Sequence, residues 1–136
     1  MPFMPMAHDT DPRQEIYSKI GFNKKNEIPG FRLKRNDVLV GIYQRPEKTK
    51  SGIFISDKTR DEDKHQGKAA LVLLLGPSAF VSDDTVQFTE DQKVKPGDWI
   101  ALWVSDGRQI TINGQLCRVV RDQDIVMEIP SPDAIF

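Results

Sequence analysis

The chain has 136 residues, 38% of them hydrophobic and 29% charged, with a formal net charge of -1. That length builds one core and not two, and near-neutral, interspersed charge offers no basic footprint for nucleic acid and no block of like charges that would mark an interaction tail. A single cysteine, Cys117, excludes an intrachain disulfide framework, and with no Cys or His beside it at metal-ligand spacing it reads as a small core residue.

Residues 1–36 are rich in Pro, Lys and Asn and show no alternation of apolar and polar positions, so they read as an N-terminal extension. The chain does not open on a cationic stretch followed by an apolar one, and no apolar run approaches the roughly 18 residues that span a membrane. The expectation is a soluble, intracellular protein without a membrane partner. Within the extension, Asp11 as N-cap, Pro12 in the first turn, the stripe Ile16, Tyr17 and Ile20, and a closing Gly21 predict one short helix at about 12–20. A helix so short is marginal alone. Its apolar stripe is therefore expected to pack on the main domain or on a neighbouring subunit.

From Asp37 onward the pattern turns to β. Residues 38–43 are β-branched and aromatic-rich and predict a first strand. A charged, turn-rich loop at 46–66 follows, with Lys, Arg, Asp and Glu throughout and three bulky apolar residues, Ile53, Phe54 and Ile55, alone at its middle. Such a stretch buries too little apolar surface to offset its ordering entropy, so it is expected to be mobile when free. In an arbitrary chain the triplet would ordinarily fold back as a short core strand. The other reading is that the loop offers it to a partner.

Residues 69–75 are continuously apolar and end at Gly76-Pro77, which favours a central strand over a buried helix. The stretch 78–93 mixes Phe80, Val81, Val86 and Phe88 with Asp83, Asp84, Glu90 and Asp91. Pro96-Gly97 then supplies a turn before a third strand at 99–104. Ile110 and Ile112 alternate with polar neighbours, and Asn113-Gly114 provides the positive φ angles of a type I′ hairpin turn into 115–120. A last strand at 125–129 runs into Pro130 and Pro132, leaving a tail at 130–136. Many short strands with frequent turns describe an all-β, irregular and partly open barrel over 37–129.

Catalytic and cofactor chemistry find little support. The two histidines, His8 and His65, fall in the extension and in the charged loop, where a triad or zinc site would have to be built from flexible segments. Asp83-Asp84 and Asp61-Glu62-Asp63 read as solvated turn residues before they read as acid/base pairs or cation ligands. Gly76-Pro77-Ser78 lacks phosphate-loop spacing. The expectation is a binding protein, not an enzyme, with no cofactor and no metal.

The residues do converge on a family. Asp37-Val38-Leu39-Val40, then Lys48-Thr49-Lys50-Ser51-Gly52-Ile53-Phe54-Ile55 in a charged loop, then 67–76, then Val94-Lys95-Pro96-Gly97-Asp98, and finally the Asn113-Gly114 hairpin and Asp124-Ile125-Val126, resemble the GroES-type co-chaperonins over about 36–129. The extension and the Pro-Asp-Ala-Ile ending most resemble members carried by bacteriophages and prophages. The resemblance implies a subunit of a heptameric ring that caps a GroEL-type chaperonin, the ATP being bound by that partner. It puts Ile53, Phe54 and Ile55, with Gly52 as the pivot, in the contact with the chaperonin, and 78–93 in a roof hairpin with an exposed, acidic tip. The family pattern has a second glycine where this chain has Ser51 and usually a leucine where it has Ile55.

Burying three large apolar side chains contributes about 1.5 to 3 kcal/mol each, and ordering a free segment removes on the order of 2 to 5 kcal/mol. One loop therefore binds weakly, while several on one ring gain roughly 10² to 10⁴ in avidity. Ring assembly is implied through strand pairing between subunits. Val38, Leu39 and Val40 of the first strand would meet Ile125, Val126 and Met127 of the last, each covering an otherwise open edge. The resemblance implies the cytoplasm as the place of work, that of a bacterial host if the chain is phage-encoded, with a capsid protein as an expected client. Rival readings are a virion decoration protein that reuses this fold, and a ligand-binding barrel or dehydrogenase fragment, for which zinc ligands and a nucleotide domain are wanting.

Overall fold

A computed structural model describes residues 11–23, 27–44, 56, 58, 69–85, 87–103 and 105–135. It is mostly β, with a helix α1 (Pro12–Ile20) and strands β1 (Asp37–Ile42), β2 (Ala69–Leu75), β3 (Trp99–Leu102), β4 (Arg108–Ile112), β5 (Gln115–Arg121) and β6 (Ile125–Ile129). These form one six-stranded sheet in the order β4-β5-β1-β2-β3-β6, every pairing antiparallel. The sheet is open, and β4 and β6 are its edges.

Both faces of the central strands are covered, which is why 69–75 carries no polar alternation. On one face Leu39, Tyr43, Leu71, Leu73, Trp99 and Cys117 join Ile16 and Ile20 of α1. On the other, Val38, Val40, Val72 and Ile100 meet Phe80 and Val94 from the long β2–β3 connection. Successive residues of each strand point to opposite faces, so Leu39 and its neighbours Val38 and Val40 enter different clusters. Cys117 is fully buried, as its isolation in the sequence suggested.

The helix follows its predicted signals closely. Asp11 Oδ1 accepts from the Arg13 N–H at 2.9 Å, Pro12 opens the first turn, and Gly21 closes the helix in the left-handed region at φ 81. Its stripe packs on its own sheet: Ile16 and Ile20 are buried, and Tyr17 stacks on Phe22 with ring centroids 4.7 Å apart. Room for the helix comes from Gly41 in mid-strand, where a Cβ would stand 2.9 Å from Ile16 Cγ2. At the far hairpin Asn113 (φ 52) and Gly114 (φ 83) make the expected turn between β4 and β5, and Asn113 Nδ2 donates to the Ile20 carbonyl at 2.7 Å.

One expectation is corrected. The first strand was to leave an open edge for a neighbouring subunit, but β1 is paired on both sides, with β2 and with β5, and Val38, Leu39 and Val40 are exposed by no more than 2%. A strand whose two edges are filled within its own sheet has no backbone groups left for a ladder to another chain. β6 does lie at an edge.

Candidate partner-binding surface

The four residues assigned to the chaperonin contact, Gly52, Ile53, Phe54 and Ile55, lie outside the described residues. What the structure does describe is the frame that carries their segment. The Tyr43 N–H, one residue past β1, donates to the carbonyl of Ala69, the first residue of β2, at 3.0 Å. Departure and return of the segment are thereby held side by side at one point of the sheet. Ser56 and Lys58, the two described residues between them beyond Gln44, are both exposed.

That point is firmly built. Tyr43 is 3% exposed, its ring meets Trp99 edge-on with centroids 5.8 Å apart, and its hydroxyl donates to Asp133 Oδ1 at 2.6 Å. Asp133 sits in the C-terminal 3-10 turn Pro132–Ile135, so the tail returns to the root of the segment. From the other side Arg13 Nε donates to the Gly97 carbonyl at 2.7 Å, and its guanidinium carbon lies 5.8 Å from the Trp99 ring centroid. The sequence marked Gly97 as a turn residue and Asp133 as part of the C-terminal ending, but gave no sign that they meet Arg13, Trp99 and Tyr43 here. The signals that could have found them were Gly41, a glycine in a β-branched run, and the aromatic Tyr43 closing the first strand.

Of the six residues assigned to subunit contacts, three are buried in β1 and three lie on the edge strand β6. There Ile125 is half-buried, while Val126 and Met127 are exposed by 37% and 53%. Beside them runs a groove lined by Phe88, Asp91, Val94 and Glu128. Phe31, on the approach to β1, is 44% exposed.

The β2–β3 connection doubles back without forming strands among its described residues. Ser82 Oγ accepts from the Phe88 N–H at 2.9 Å and donates to the Phe88 carbonyl at 3.3 Å, while Phe80 and Phe88 meet edge to face at 5.3 Å. Beyond that clasp Asp83 and Asp84 are exposed. Its base is held by the buried Asp122, which accepts from the Phe80 N–H at 2.9 Å and from Asn36 Nδ2 at 3.0 Å.

Chemical reactivity is muted among the described residues. Burial pushes the Cys117 thiol up to about 12, so it carries almost no thiolate near neutrality. Burial lowers the pKa of Arg118, opposed by Asp106; its Nη1 donates to the Trp103 carbonyl at 3.2 Å and so pins the β3–β4 loop. No group of three or more His, Cys, Asp or Glu among the described residues is placed to hold a metal ion, and no helix of the described residues is long and apolar enough to cross a membrane.

Comparison with known proteins gives this frame a context. Residues 32–129 match the family described as "Chaperonin 10 Kd subunit". Among curated proteins, the chain is 32% identical over 96 residues to "Co-chaperonin GroES 5" of Rhizobium meliloti, covering 71% of this chain and 86% of the relative. It is 31% identical over 96 residues to "Co-chaperonin GroES" of Methylobacterium radiotolerans, covering 71% and 93%, and 28% identical over 89 residues to "Co-chaperonin GroES" of Caldicellulosiruptor saccharolyticus, covering 65% and 85%.

Proposed function

The chain belongs to the Chaperonin 10 Kd subunit family, and from that membership we propose that it is a co-chaperonin, not an enzyme, which assembles into a heptameric ring and caps a GroEL-type chaperonin. The observation that carries this reading is the match itself, which spans 32–129 and so covers both the segment with Gly52, Ile53, Phe54 and Ile55 and the strands that frame it. The frame supports it: a segment that leaves and returns at one hydrogen-bonded point can present an apolar triplet to another molecule without disturbing the sheet. The partner binds the ATP, and release needs only that its grooves change shape, a population shift the loop need not drive.

In this reading 1–36 is an extension, 37–129 the barrel domain with its loop at 46–66 and its roof at 78–93, and 130–136 the tail. Ring contacts use Ile125, Val126 and Met127 on the free edge of β6, with the approach to β1 at Phe31 in place of β1 itself as the neighbour's surface. A phage-encoded origin, with a capsid protein as client in the host cytoplasm, rests on the resemblance of the N-terminal extension and the Pro-Asp-Ala-Ile ending to phage-carried members of the family. A folding helper of this kind is absent from purified particles by mass spectrometry, whereas a decoration protein is present in them.

The test is direct. Ile53→Asp or Phe54→Asp abolishes capture on an immobilised chaperonin ring, while native mass spectrometry shows the oligomer intact. Undiminished capture of both variants rejects the assignment.

A further inference from the structure

The family match begins at residue 32 and leaves out α1, yet α1 ends up acting on the root of the proposed partner-binding segment. Four parts of the chain meet there in line. Arg13 of α1 donates to the Gly97 carbonyl at 2.7 Å and faces the Trp99 ring at 5.8 Å. Trp99 of β3 meets Tyr43 edge-on, and Tyr43 donates to Asp133 of the C-terminal turn at 2.6 Å. Tyr43 is also the residue whose backbone N–H is tied to Ala69 across the segment.

A tyrosine–carboxylate bond this short, with Tyr43 3% and Asp133 8% exposed, is a poor choice if stability alone is required, since apolar packing would serve as well. What a satisfied buried polar network adds is one defined arrangement of the groups it joins. Here it defines the direction of the backbone at Tyr43 and Ala69. The gain from linked binding sites depends on each being held where its target can be reached. A segment whose root wanders presents its apolar triplet at a lower effective concentration.

We propose that Arg13, Trp99, Tyr43 and Asp133 are positioning residues, a brace supplied jointly by the N-terminal helix and the C-terminal turn that sets the direction in which 45–68 leaves the sheet toward the chaperonin. Its purpose rests on the co-chaperonin reading; its existence rests on the contacts themselves.

The experiment compares the full-length ring with Tyr43→Phe, which removes only the hydroxyl, with Arg13→Lys, which keeps the charge and loses the planar fork, and with Asp133→Asn, which keeps an acceptor for the tyrosine. Amide hydrogen exchange is followed at 43, 44 and 69 and, as reference, along β5; affinity for a GroEL-type double ring is measured with ATP. Tyr43→Phe should speed exchange at the root about tenfold while leaving β5 unchanged, and weaken capping by about tenfold through lost effective concentration. Arg13→Lys should move both in the same direction, and Asp133→Asn, which keeps the acceptor, should leave both within about twofold of the unaltered ring. Unchanged root exchange in Tyr43→Phe, or a rise shared equally by β5, overturns the brace. Faster root exchange with unchanged capping overturns its positioning role. If the unaltered ring fails to bind a chaperonin, the co-chaperonin reading fails, and the exchange comparison alone decides the brace.

Discussion

Asp122 shows how one buried carboxylate joins stretches far apart in the chain. Its two side-chain oxygens receive the Phe80 N–H and the Asn36 amide, and its own N–H donates to the Asn36 carbonyl at 3.1 Å. Asp122→Ala leaves the buried Phe80 N–H and the part-buried Asn36 amide without this acceptor and should cost about 1 to 3 kcal/mol, read as a lower urea midpoint with an unchanged slope. Cys117 makes a prediction of the opposite kind. With its pKa raised from 9.0 to about 12 by burial, the native thiol should resist alkylation at pH 8 and react only on unfolding. As pH rises past the ordinary thiol value, the unfolded chain loses a proton that the folded chain keeps, so stability falls between about pH 9 and 12. The seclusion of Cys117 could be read from the sequence because a lone apolar thiol has few other uses. Asp122 and Asp133 could not be singled out, since their partners lie 42 and 90 positions away at Phe80 and Tyr43 and nothing local distinguishes them from surface aspartates.

Among the elements, those written in local chemistry were legible: the helix from Asp11, Pro12 and Gly21, the hairpin from Asn113-Gly114, and β2 and β6 from their apolar and β-branched runs. Neighbour relations were not. The placement of β1 between β2 and β5 is decided by long-range pairing, and a six-residue run centred on Val38, Leu39 and Val40 reads the same at an edge or in the middle. Covering of both sheet faces by apolar residues was the available sign that β1 is central. Gly41 carries the corresponding sign for α1. Gly41→Val improves local strand propensity, yet its side chain would collide with Ile16, so we expect it to lift the helix and cost about 1 to 3 kcal/mol through overpacking. Loss of helical circular dichroism together with a lowered melting temperature would show this; a stabilised protein with its helix intact would not fit.

For the molecule as a whole, the open sheet leaves β6 with Val126 and Met127 toward solvent, a hazard that assembly removes. Met127→Lys should therefore shift the oligomer toward smaller species in native mass spectrometry without unfolding the subunit. The proposed contact with the chaperonin, Ile53, Phe54 and Ile55, rests on its motif in the charged loop and lies outside the described residues. The central claim is met most directly by mixing the purified ring with a GroEL-type double ring and following co-elution with and without ATP. The account predicts a nucleotide-dependent complex with the ring of this chain seated on the end of the chaperonin. Failure to co-elute under either condition, by a ring that is itself folded and assembled, would contradict it.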